Sequence, residues 1–132
     1  MRALGWSAKG EGCQVTCGVK AAGLAYTPLV PFTGGFTDAD ELRRHYFNHG
    51  RKLNCVSSLA YEARADAFMG GPIGADVAEC TRPLGDLVRY NQVTQEFGVL
   101  RPDRVIRTYL ILDGTLVRNR TRFCANCVRQ QS

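Results

Sequence analysis

Residues 77–113 read VAECTRPLGDLVRYNQVTQEFGVLRPDRVIRTYLILD, and this stretch decides the fold. β-branched and aromatic residues come here in short runs separated by turn-forming residues, which predicts strands over Val77–Arg82, Asp86–Asn91, Glu96–Arg101 and Arg104–Asp113. Pro83-Leu84-Gly85-Asp86 supplies a tight turn between the first two, Arg101-Pro102-Asp103 joins the third to the fourth, and Asp113-Gly114 reads as a further turn. Two more short strands are expected beyond it, Thr115–Asn119 and Thr121–Cys124. Such closely spaced runs make an antiparallel meander. In the second run Leu87 and Arg89 share one face and Val88 and Tyr90 the other. The fourth run is apolar on both faces, as a central strand is, and Arg107 and Thr108 interrupt it.

Upstream the texture is helical. Thr37-x-x-Asp40 and Asp38-x-x-Glu41 both resemble capping boxes, and the acidic residues suit a first turn. The helix they start is expected to run to His49 and stop at Gly50. A second helix is expected over Ser57–Met69, with Val56, Leu59 or Ala60, Ala63 and Ala67 as its buried stripe, ended by Gly70-Gly71-Pro72. Residues 1–36 hold seven of the fourteen glycines and read as an irregular leader. Helices before strands predict an α+β fold, with N-terminal helices packed on a curved antiparallel sheet, in a single domain over 37–132.

The chain has 132 residues, 45% hydrophobic and 22% charged, which fits one globular domain and excludes a disordered tail, a fibre and a coiled coil. No window approaches the roughly 18 apolar residues of a membrane span, and the start lacks the apolar run of a signal peptide. A chain that neither spans a membrane nor carries a conventional export signal of its own is expected. Its formal net charge is +5. Fourteen of the seventeen basic residues are arginines, the side chain that pairs bidentately with phosphate. Residues 101–132 carry seven arginines against Asp103 and Asp113, whereas residues 1–100 balance at zero. Arg118, Arg120 and Arg122 therefore head the candidates for contact with a nucleic-acid backbone.

Six cysteines leave the redox compartment open. Cys13-x3-Cys17 and Cys124-x2-Cys127 have the spacing to close a four-thiolate structural zinc site, two disulfides, or neither. Cys55 and Cys80 lack such spacing and are expected in the core as small apolar thiols. The two histidines, His45 and His49, stand four apart on one helix face. They read as a metal pair wanting a third ligand, as a general acid–base pair, or as surface residues without a task. Arg107 reads as a phosphate ligand beside Arg89, or as the partner of Glu96 or Asp86.

Taken together, Leu42-x2-His45-x3-His49-Gly50, Tyr61-x3-Ala65, Gly85-Asp86-x-Val88-Arg89-Tyr90-Asn91-x-x-Thr94-x-Glu96-Phe97-Gly98-Val99 and Ile106-Arg107-Thr108-Tyr109 resemble the toxin domains of polymorphic and phage-associated systems. Those domains are grouped with the barnase, EndoU, colicin-type and RelE-like ribonucleases, the BECR fold. The resemblance covers residues 36–110; Ala60 departs from it, where the family carries an acidic residue, and so does the Arg-rich, Cys-containing end. It implies a metal-independent endoribonuclease toxin, with RNA as substrate and a cognate immunity protein as partner, acting in the cytoplasm and requiring no cofactor. It further implies that His45 and His49 move protons, that Arg89 and Arg107 grip the phosphate, and that Thr108 and Tyr109 donate hydrogen bonds, with Tyr90 and Thr94 contacting the RNA. The alternatives are a non-catalytic nucleic-acid-binding module held by the four-cysteine zinc site, and an inactive interaction domain on the same scaffold.

Overall fold

Asp38 opens the first helix: its backbone is extended and its carboxylate accepts from the Glu41 amide, leaving α1 over Ala39–His49. The helix stops at Gly50 as expected; Gly50 starts a 3-10 turn, Gly50–Leu53, which ends in the left-handed Asn54 at φ 58°. Ser57 caps α2, Ser58–Gly70, through its hydroxyl and the Ala60 amide. These statements come from a computed structural model, which describes residues 31–129.

Four strands follow, β1 Val77–Thr81, β2 Leu87–Asn91, β3 Glu96–Leu100 and β4 Ile106–Ile111, paired antiparallel in the order β1-β2-β3-β4. The class is the expected α+β meander. Gly85 takes φ 106° in the β1–β2 turn, where a side chain would be strained, and Asn91 closes the β2–β3 turn by accepting from the Val93 and Thr94 amides. β4 is an edge strand rather than a central one, because the last strand of a meander has one neighbour. The segment Gly34–Gly35 covers the start of that edge through Gly34 N–H to Arg104 O and Ile106 N–H to Gly35 O. Phe36 is buried among the core residues, so the domain begins before residue 37.

α1, the 3-10 turn and α2 cover one sheet face, where Leu42, Leu53, Tyr61, Ala65, Met69, Leu100, Ile106 and Tyr109 form the core. The stripe expected on α2 is not the buried one. Val56 is 89% and Leu59 71% exposed, while Tyr61, Ala65 and Met69, one turn apart, point inward. Gly98 permits this approach, since a Cβ there would run into the Met69 sulfur.

The largest departure is at the C-terminus. Thr115–Cys124, expected as two strands, is part of a helix, α3, over Leu116–Cys127, capped by the Thr115 hydroxyl on the Arg118 amide. Asn119, Phe123 and Cys127 recur at helical spacing, and the first two are buried. α3 lies on the second sheet face, packed over Val88, Tyr90, Phe97, Val99 and Leu112. The helices therefore bracket the sheet instead of all preceding it. Cys80, expected as a core thiol, is bonded to Cys127, and this disulfide ties α3 to β1. Cys127 is thereby unavailable to the expected zinc set. Cys124 is free and exposed, Cys55 is buried but disulfide-bonded, and Cys13 and Cys17 lie outside the described residues. Among the described residues no group of three or more His, Cys, Asp or Glu could hold a metal ion, and no helix is long and apolar enough to cross a membrane.

Candidate active site

The inner stripe of α1 is Leu42, His45, Tyr46 and His49, so the helix turns both histidines toward the rest of the fold rather than to open solvent. His45 is buried and stacks on Phe36 with ring centroids 5.0 Å apart. Its Nε2 lies 3.5 Å from Oε1 of Glu41, one turn earlier, and its Nδ1 is buried with no hydrogen-bond partner. The half-buried His49 ring is 5.9 Å away.

Burial lowers the pKa of both imidazoles; Arg44 lowers His45 further while Glu41 raises it, and Lys52 and Arg44 lower His49. Both are neutral near pH 7 and able to accept a proton. The unfolded chain, with histidines at about 6.5, binds protons before the folded one does. Stability is therefore fully held above about pH 6.5 and falls as the pH drops below it. Melting temperature is expected to decline between about pH 7 and pH 5.5, a window above ordinary carboxylate titration, and to be flatter there in the His45→Gln/His49→Gln double variant. Equal slopes in the two proteins would contradict this.

The other expected site residues do not gather at this pair. Arg89 is buried under the end of α2, where its guanidinium donates to Glu79 at 2.8 Å and to the Phe68 and Gly71 carbonyls at 2.9 and 2.8 Å. It satisfies the carbonyls at a helix C-terminus, as a cation there does. Tyr109 is fully buried; its hydroxyl donates to Glu96, its carbonyl accepts from the Tyr61 hydroxyl, and Thr94 Oγ1 donates to the other Glu96 oxygen at 2.7 Å. Glu96 pairs with Arg64 at 2.8 Å and not with Arg107. Burial pushes the Tyr109 hydroxyl well above 10 and that of Tyr90 up to about 12, so neither loses a proton near neutrality. Tyr90 lies on the opposite sheet face, stacked on Phe123, with its hydroxyl donating to Gln95. Arg120 donates to Gln92 and Arg122 to the Asp113 carbonyl, while Arg118 stands exposed on α3.

Arg107 sits where the β3–β4 register shifts, half-buried beside Thr108, and grips Asp86 through Nε at 2.8 Å and Nη2 at 3.2 Å. Asp86 is buried and also accepts from Arg82 at 3.0 Å. This is the ion-pair alternative. Arg107→Lys keeps the charge and loses the fork, so it is expected to cost about 1 kcal/mol of stability, Arg82 still serving Asp86. Unchanged melting would contradict the ion pair.

The cations whose charge acts on the histidines are Arg44 and Lys52, which the sequence reading did not single out. Arg44 Nη2 is 2.5 Å from Glu41, and Lys52 Nζ is 2.6 Å from Asp113 at the end of β4. A signal for the first existed, since Glu41 lies three residues before Arg44 and four before His45 on one helix. Lys52 lies in the 3-10 turn that follows α1 and acts on His49. The sequence matches no family model, and no curated protein matches it.

Proposed function

We propose that the chain is an endoribonuclease that cleaves RNA by attack of a ribose 2′-hydroxyl on the adjacent phosphodiester, with His45 and His49 as its acid–base pair. The observation that carries this reading is the pair of neutral imidazoles with ring centroids 5.9 Å apart, one seated between Phe36 and Glu41. Transesterification needs a base for the 2′-proton, an acid for the leaving 5′-oxygen and cations around the phosphorane; no step requires a metal ion. His49, the less buried, takes the 2′-proton. His45, whose Nε2 lies beside Glu41, protonates the leaving oxygen in the minor fraction of molecules in which it carries a proton at neutral pH. Arg44 and Lys52 meet the phosphate. Both are exposed and held only by surface carboxylates, which a phosphate displaces at little cost because surface ion pairs contribute about 0–1 kcal/mol. Arg118 and Arg122 attract the RNA backbone from α3, so affinity falls steeply with salt. The family resemblance adds that the enzyme is a toxin restrained by an immunity protein.

The test is total RNA incubated with the purified chain in EDTA. Fragments ending in 2′,3′-cyclic phosphate are expected. Intact RNA, or cleavage that EDTA abolishes, overturns the proposal.

A further inference from the structure

The end of α3 holds three sulfurs in one place. Cys127 is bonded to Cys80 of β1, and Cys124 is a free, exposed thiol one helical turn before Cys127. Residues three apart on a helix face the same way, about 5–6 Å apart at Cβ. A disulfide needs about 3.5–4.5 Å, so the last turn must tighten for the two to bond. It is built to do so: Cys127 is the last helical residue, Val128 has left helical geometry, and the chain there is held by two long bonds, Val128 N–H to Ala125 O at 3.4 Å and Arg129 N–H to Asn126 O at 3.3 Å.

We propose that Cys124, Cys127 and Cys80 form a thiol–disulfide exchange site, in which Cys124 opens the bridge that holds α3 to β1 and a low-molecular-weight thiol of the glutathione class is the reductant. The Cys124 thiol gives its proton to solvent, and its thiolate attacks the Cys127 sulfur. The Cys124–Cys127 bond forms as the Cys127–Cys80 bond breaks, and Cys80 leaves as a thiolate that takes a proton from water. In that step Cys124 is oxidised to the disulfide level and Cys80 is reduced to a thiolate, with no net change. Two molecules of the small thiol then reduce the new, exposed bridge and leave joined as their own disulfide, with both cysteines returned as thiols.

Arg82 keeps the sulfurs in register during the exchange. Its guanidinium donates to the Asn126 carbonyl at 2.9 Å and to the Asn126 side chain at 2.5 Å, so the end of α3 stays against β1 when the covalent bond is lost. α3 buries only Asn119 and Phe123, and the bridge is its one covalent tie to the sheet among the described residues. Opening it leaves the Arg82–Asn126 hydrogen bonds as the tie at that end of the helix. The proposal concerns the cysteines alone and stands whether or not the chain cleaves RNA.

The experiment follows the appearance of the Cys80 thiol when the oxidised full chain meets millimolar reduced glutathione, read by alkylation and peptide mass. Cys124→Ser and Cys124→Ala are each expected to slow it about tenfold, the advantage of a neighbouring thiol over one in free solution, with melting unchanged because Cys124 is exposed. A second variant, Cys80→Ser, treated with oxidised glutathione, is expected to yield peptide 123–129 with its two cysteines joined to each other. Equal reduction rates in wild type and both Cys124 variants, or the two cysteines recovered unlinked in Cys80→Ser, overturn the proposal.

Discussion

His49→Ala is expected to lower RNA cleavage about 10²–10⁴-fold, the usual worth of a positioned acid or base, while melting stays near that of the wild type. The half-buried ring caps no helix and makes no hydrogen bond that its removal would strand; its ring neighbour is His45. Loss of turnover therefore reports proton transfer and not folding. His45→Ala should be as damaging to cleavage, and it also removes a buried ring stacked on Phe36, so its melting falls as well. The pair acts as a unit, and the double variant should be little worse than either single one. Wild-type cleavage retained by both single variants would remove the histidines from the mechanism and leave Arg44 and Lys52 as surface cations without a reaction to serve.

Glu96→Ala should cost about 3–5 kcal/mol of stability, because removing one partner of a buried ion pair is strongly destabilising. Glu96 is 2% exposed and accepts from Arg64, from the Tyr109 hydroxyl and from Thr94. Alanine removes the carboxylate that pairs with Arg64 at 2.8 Å and the acceptor of the Tyr109 hydroxyl in a fully buried site. Glu96→Gln, which keeps an acceptor for Tyr109 but not the charge, should fall between the two. Urea midpoints with an unchanged slope measure the difference. A loss below about 1 kcal/mol in Glu96→Ala would mean that the charge is solvated and that this network does not anchor α2 to the sheet.

The strands of the meander and the starts of α1 and α2 were legible without any structure. Strand alternation is a period-two pattern, the Asp38 and Ser57 caps act over three residues, and the Gly85 turn acts over four. Each is a short-range constraint that the local chain satisfies by itself. The spacing of His45 and His49 was legible for the same reason, being one turn of one helix. What needed the tertiary structure is everything set by residues far apart. After Asp113-Gly114, the run Thr115–Cys124 has enough β-branched residues to read as strand, and the buried sheet face waiting for Asn119 and Phe123 selects helix. Helix or strand in such a short stretch is decided by what its side chains can bury, which local propensity does not contain. Arginine roles divided in the same way: Arg107 to Asp86 spans 21 residues and Arg64 to Glu96 spans 32, and a charge in a strand looks alike in sequence whether a phosphate or a carboxylate awaits it. The Cys80–Cys127 bridge spans 47 residues and cuts across the suggestive C-x2-C spacing. A disulfide forms between sulfurs that folding brings within reach, so its pairing belongs to the packing of α3 against β1 and not to the order of cysteines along the chain.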